Sequence, residues 1–392
     1  MKKLLFLLPF SAVLAGCFGD DDSNSGSALT EGSYAVQMVA ADYGSSQVAT
    51  GNIIGDRSVQ NTVLTSAQSD YTVNSWKNYL YHIGRYSIDL ISRYNASVSL
   101  STPVWEYSTL EDGKSTSNPY KIVHSSDDTA YVIRYDSTNV WQVNPEAASA
   151  EDFHVGSIDL SAYTADGALY PRMSDALVYN NYLYVVMQRL DASYTPQTAY
   201  IAVIDLSDNS EVDTDPSTDG LQGIALNITN PMSMVENNGM LYVAGRGNYS
   251  TDNGGLDKID TITYTVTNLI NTDTLSSLND AENSTYFHVY DVAVVSDTQG
   301  YVSVNIEQGW STQSSIIYSF NPSTDSIGDV LNIEALTGAV ISDINTDINN
   351  RLWVADSKNS ELIVIDTDIN AQNGDAIALP LPPGKVTFLT VE

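Results

Sequence analysis

The sequence predicts an all-β fold, a seven-bladed β-propeller of four-stranded antiparallel blades whose ring closes by joining its N- and C-terminal strands. Three observations predict it. A two-strand pattern recurs every fifty to sixty residues, clusters of Asn, Asp and Gly punctuate the strands, and no convincing amphipathic helix interrupts them.

The repeat runs as an aromatic strand, a turn, then a second apolar strand ending in Asp or Asn. Its first half appears at Tyr79-Leu80-Tyr81, Ala130-Tyr131-Val132, Tyr182-Leu183-Tyr184, Met240-Leu241-Tyr242, Tyr301-Val302-Ser303 and Arg351-Leu352-Trp353. With Tyr81, Tyr131, Tyr184, Tyr242, Tyr301 and Trp353 as anchors, the partner strands close near Asn95, Asn144, Asp205, Asp260, Asn321 and Asp366. Pairs such as Asn180-Asn181 and Asn349-Asn350 ahead of the anchors suit two-residue hairpins with positive φ. Six units are complete. The seventh is split: Ser33 to Leu64 supplies its outer strands and Lys385 to Leu389 its innermost one, which removes an exposed edge. The propeller domain is therefore placed at residues 33–392. The repeat resembles that of the seven-bladed YVTN/YncE-like propellers, a likeness that implies fold and says little about function.

The first residues read differently. Lys2 and Lys3 precede an apolar run from Leu4 to Val13, too short to cross a bilayer that needs about twenty apolar residues. A charged start, a short apolar stretch and a small-residue end form a signal peptide over residues 1–16. The sequence Leu14-Ala15-Gly16-Cys17 resembles the bacterial lipobox, which implies cleavage after Gly16 and acylation (by palmitate, for example) of Cys17, the chain's single cysteine. Phe18, rather than Asp, follows that cysteine, and by the same resemblance this favours the outer membrane, on its periplasmic or surface side. Residues 17–32 are rich in Gly, Ser, Asn and Asp and read as a flexible acidic tether.

Charge narrows the partners. Without residues 1–16 the chain keeps 14 of its 16 basic residues against all 48 acidic ones, a formal charge of −34. Nucleic acid is a poor partner for such a chain, because phosphate binding needs many Lys and Arg. Anionic lipid would repel it, so membrane attachment must come through the lipid itself.

A candidate binding face emerges from the loops. Beyond the anchors stand Arg85, Arg134, Arg189, Arg246 and Lys358, in loops that a four-stranded blade places on one face. Tyr43, Tyr86, Tyr135, Tyr249 and Trp310 share these loops, and the loops entering the inner strands add Tyr120, Arg172, Met232, Phe287 and His288. Guanidinium groups beside tyrosine rings suit a small, flat, anionic ligand. The same arginines could instead pair with acidic loops of neighbouring blades, such as Asp89, Asp136, Asp191 or Asp252.

Catalysis and metal binding have thinner support. The four histidines, His82, His124, His154 and His288, lack the spacing of a zinc site, and no G-x-S-x-G elbow or phosphate loop occurs. No cofactor is expected, with calcium as the one possibility. Asp213-x-Asp215-x-Ser217-x-Asp219 alternates oxygen ligands without the closing glutamate of a calcium loop, and solvated turns read the same way. Three functions remain open: capture of a small anionic ligand, docking of a protein, or an enzyme such as a lactonase. By resemblance to surface propeller lipoproteins the ligand could be a ferric siderophore and the protein partner an outer-membrane transporter.

Overall fold

The computed structural model describes residues 31–218, 220–277, 284–309 and 311–390. Cys17, Trp310 and Asp219 lie outside the described residues. The anchor strands are made of Val, Ile, Leu and aromatic side chains, which suit a pleated surface covered on both faces. Tyr182–Met187 and Leu352–Asp356 are accordingly buried along nearly their whole length.

These strands assemble into seven antiparallel sheets arranged as a propeller. Counting the closing blade as blade 1, the inner strands of blades 2 to 7 are Tyr71–Trp76, Pro119–His124, Met173–Tyr179, Pro231–Asn237, Thr285–Ser296 and Ile341–Thr346. Each is followed by its anchor strand and then by the outer strands. Blade 1 is built from both chain ends. Its inner strand is Pro383–Thr390, paired antiparallel with Gly32–Val39 so that Gly32 faces Thr390 and Gln37 faces Lys385. The outer strands Ser46–Asn52 and Asn61–Ser66 complete it. Seven blades and the split closing blade agree with the sequence.

The core is seven separate apolar clusters rather than one, each filling the wedge between two adjacent blades. The six anchors have a common role here. Tyr81, Tyr131, Tyr184, Tyr242, Tyr301 and Trp353 are buried, and each packs into the cluster shared with the following blade. Blade 1 departs from this pattern. Ala35 points toward blade 2, while Tyr34 turns back toward blade 7 and meets Trp353 with ring centroids 5.2 Å apart. Gly51 makes room for that ring, since a Cβ there would lie 2.5 Å from the Tyr34 hydroxyl.

Candidate ligand-binding site

The inner strands surround a channel, and irregular pairing shapes its mouth. In blades 1, 3, 4, 5 and 7 the pairing of inner and anchor strands slips by one residue near the start of the inner strand, and in blade 6 it slips midway along the longer strand, between Val289 and Asp291. A β-bulge leaves one extra residue unpaired and re-aims its neighbours. The extra residues are Tyr120, Ser174, Met232, Tyr290, Ser342 and Gly384. Directly after them come Lys121, Asp175, Ser233, Asp291, Asp343 and Lys385. All twelve line one open cavity of about 860 Å³, where regular strands would have turned alternate residues away. Blade 2 pairs without a slip and contributes Thr72 and Asn74.

Hydrogen bonds between blades fix the polar groups in this ring. Asn74 accepts the Ile122 amide at 3.2 Å, Asp175 that of Met234 at 2.8 Å, Asp291 that of Ile344 at 3.0 Å and Asp343 that of Val386 at 2.9 Å. Each bond joins the inner strand of one blade to that of the next, so the side chains that shape the cavity also hold the ring. Lys121 Nζ lies 2.5 Å from Asp175 Oδ1, and Lys385 Nζ lies 2.5 Å from Asp343 Oδ1. Burial and then the negative charge of Asp291 push the Asp343 carboxyl up, against the pull of Lys385. Burial opposes charge on Lys385, but Asp343 and Asp291 outweigh it and hold the ammonium above its ordinary value. Burial raises the Tyr120 and Tyr290 phenols, which therefore stay neutral hydrogen-bonding rings.

Of the predicted basic residues, Arg85 reaches this mouth. Its Nε donates to Asp70 Oδ1 at 2.8 Å and its guanidinium lies 5.1 Å from the Tyr120 ring centre. The others are engaged elsewhere. Arg134 is fully buried, paired with Glu111 at 2.7 Å and set 4.2 Å from the Trp141 ring centre, beside a smaller cavity of about 220 Å³. Arg172 of blade 4 pairs with Asp136 of blade 3 and lies over Tyr135. Arg246 of blade 5 pairs with Glu307 of blade 6 at 2.5 Å and lies 3.7 Å from the Tyr249 ring centre. Arg189 donates to the carbonyls of Tyr163 and Thr198, and Lys358 to that of Gly338. The predicted ring thus separates into one group at the mouth and a set of bonds that hold loops and blades together.

The predicted aromatic residues divide too. Tyr43, Tyr120 and Met232 line the cavity. Tyr135 stacks on Tyr120 with centroids 4.6 Å apart and donates to Gln188 at 2.6 Å. Tyr86 and Tyr249 are exposed on the rim. His288 is buried, with Nδ1 3.3 Å from Glu307 Oε2, and Phe287 stands beside it in the inner strand of blade 6.

For calcium, Asp213 and Asp215 sit in tight turns, with Asp215 accepting from Ser217 and Thr218. Among the described residues no group of three or more His, Cys, Asp or Glu side chains is placed to hold a metal ion. His82 and His124 are buried and stacked on Tyr71 and Trp76, and burial lowers both to about 4.

The sequence reading missed the channel acids and lysines. Their signal is short: Lys121-Ile122, Asp175-Ala176, Asp291-Val292, Asp343-Ile344 and Lys385-Val386 each place a charge directly before an apolar residue, roughly ten residues ahead of the next anchor in the blades that begin with one.

Fold and site together define a seven-bladed propeller with a polar mouth lined by charges of both signs. No protein-family model and no curated protein matches the sequence. Among solved structures the chain is similar to a putative 6-phosphogluconolactonase from Bacteroides uniformis, at 9% identity and TM-score 0.62, over 92% of this chain and 100% of that one. It is similar to a protein from Lactobacillus plantarum at 13% identity and TM-score 0.60, over 92% and 100%. Hydrazine synthase from Kuenenia stuttgartiensis matches at 12% identity and TM-score 0.55, over 76% of each chain. At such identities these likenesses establish the fold alone.

Proposed function

We propose that this protein is a lipid-anchored propeller that captures a small anionic ligand at the mouth of its channel. One observation carries the reading: Arg85, Lys121 and Lys385 stand on three consecutive blades and line one cavity of about 860 Å³. That volume lies in the range of small-molecule sites. Tyr43, Tyr71 and Tyr120 line the same cavity and offer ring faces to a flat ligand. The lipid on Cys17 would hold the protein at the outer membrane, where a transporter could receive the ligand.

Calorimetric titration with ferric catecholates and aromatic carboxylates tests the binding. An anion that binds the native protein should bind Arg85→Ala about tenfold more weakly, the worth of one charge-assisted hydrogen bond. Silence across the panel overturns the reading. Incorporation of labelled palmitate, lost in Cys17→Ser, tests the anchor.

A second reading, a protein-docking platform, has its own support. Tyr43, Tyr86, Tyr194 and Tyr249 are 76%, 59%, 63% and 47% exposed, all in loops on the face of the mouth. Tyr43 and Tyr194 are held there at φ of 57° and 60°, a backbone region that side-chain-bearing residues seldom adopt. Exposed tyrosines are common anchors of protein interfaces. Cross-linking that returns one stoichiometric partner, abolished by Tyr43→Ser with Tyr194→Ser, would favour this reading.

A further inference from the structure

The charges of the mouth are sorted around the ring. Lys385, Arg85 and Lys121 occupy blades 1, 2 and 3, whereas Asp343, Asp291 and Asp175 occupy blades 7, 6 and 4. Where the two arcs meet, at blades 3 and 4 and at blades 7 and 1, lysine and aspartate pair directly. Away from those junctions the groups differ. Arg85 meets Asp70, which remains partly exposed, on the cationic side. Asp291 stands on the opposite side, only 5% exposed, and its oxygens accept the Val292 and Ile344 amides at 2.9 and 3.0 Å. Among the described residues no Lys or Arg pairs with it directly: the Lys385 ammonium, which Asp291 helps to hold charged, makes its direct ion pair with Asp343. A carboxylate has about four lone-pair sites, so Asp291 keeps capacity for a further donor facing the cavity. Burying a carboxylate with no cation in direct contact is costly, and a donor arriving from the cavity would offset that cost.

We infer that the ligand of this mouth is a zwitterion with separated charges, its anionic end on the arc of Arg85, Lys121 and Lys385 and its ammonium on Asp291. The inference rests on the reading of the mouth as an anion-binding site and adds the second charge. A short peptide with free termini is the simplest molecule of this class, and the tyrosines lining the cavity offer ring faces to a flat side chain between its ends. A plain dianion would place its far end against Asp291.

Calorimetry with three forms of one tripeptide, alanyl-tyrosyl-alanine, tests this on the native protein. The free tripeptide is expected to bind, while N-acetylation, which removes the ammonium, weakens binding at least tenfold. C-terminal amidation weakens it similarly. Asp291→Asn should weaken the free tripeptide tenfold and leave the N-acetyl form unchanged. Equal affinity of free and N-acetylated forms would overturn the zwitterion and leave the anion site standing. Equal affinity of free and amidated forms would overturn the anion site itself. Silence of all three forms overturns the zwitterion. If an aromatic carboxylate still binds through Arg85, the anion site survives; if none does, it falls too.

Discussion

Arg134 and Arg85 are the same residue type at neighbouring positions of consecutive blades, yet their surroundings give them opposite roles. Arg134 is fully buried, and removing it would leave Glu111 without its partner and Trp141 without its cover. Arg134→Ala should cost about 2–3 kcal/mol, at the low end for a broken buried pair because Glu111 is partly exposed. Arg85→Ala should cost less than about 1 kcal/mol, since both partners keep contact with water. Urea unfolding of the two variants measures the difference. Glu307 offers a sharper test. Burial would raise its carboxyl, but His288 and Arg246 outweigh burial and draw it down to about 2. A carboxyl lowered on folding stabilises the native state above its unfolded value near 4.5 and loses that contribution as pH falls toward 2. Glu307→Gln should therefore flatten the stability curve between those pH values while lowering the plateau above them. The positions of these arginines were legible in the sequence. Their partners were not, because Glu111 and Glu307 reach them only after the blades have packed.

The closing blade shows how a single strand can matter to the whole ring. Without Pro383–Thr390, the strand Gly32–Val39 would expose a full row of unpaired backbone groups, and the clusters of blades 7 and 1 would lose Val386 and Leu389. A chain truncated after Pro382 should lose its cooperative thermal transition and aggregate, and light scattering during heating would show it. A soluble, cooperatively melting truncation would contradict this role. The same strand marks where sequence reading succeeds and where it stops. Its place in blade 1 could be read from the missing strand in a count of seven. The aromatic anchors could be read because Tyr81 and its counterparts repeat at the depth where blades meet. The bulges could not. An extra residue such as Ser174 or Ser342 shifts the alternation by one, but within inner strands of seven and six residues the run on either side is too short to show it. The device that turns Asp175 and Asp343 into the channel is therefore hard to read from pattern.

The whole molecule carries a formal charge of −32, which its compact form must hold against self-repulsion. Raising ionic strength should raise the melting temperature, because screening relieves repulsion among exposed carboxylates more than it weakens buried pairs. Acid should act in two stages. His82 and His124 are held near 4 by burial, so stability is full above their ordinary value of 6.5 and declines as pH falls from there toward 4. The Glu307 contribution is lost below that. His124→Phe, which keeps a ring against Trp76, should remove part of the first stage, measured as the urea midpoint at pH 7 and pH 5.

The pairing of Gly32 with Thr390 also sets a direction. The strand Gly32–Val39 starts beside the end of the inner strand and finishes at Ala40 and Ala41, which line the mouth. The backbone therefore enters the propeller on the face opposite the cavity. The open basin lies on the far side of the ring from the point where the chain comes in. A molecule arriving by diffusion would reach that basin without passing the incoming strand.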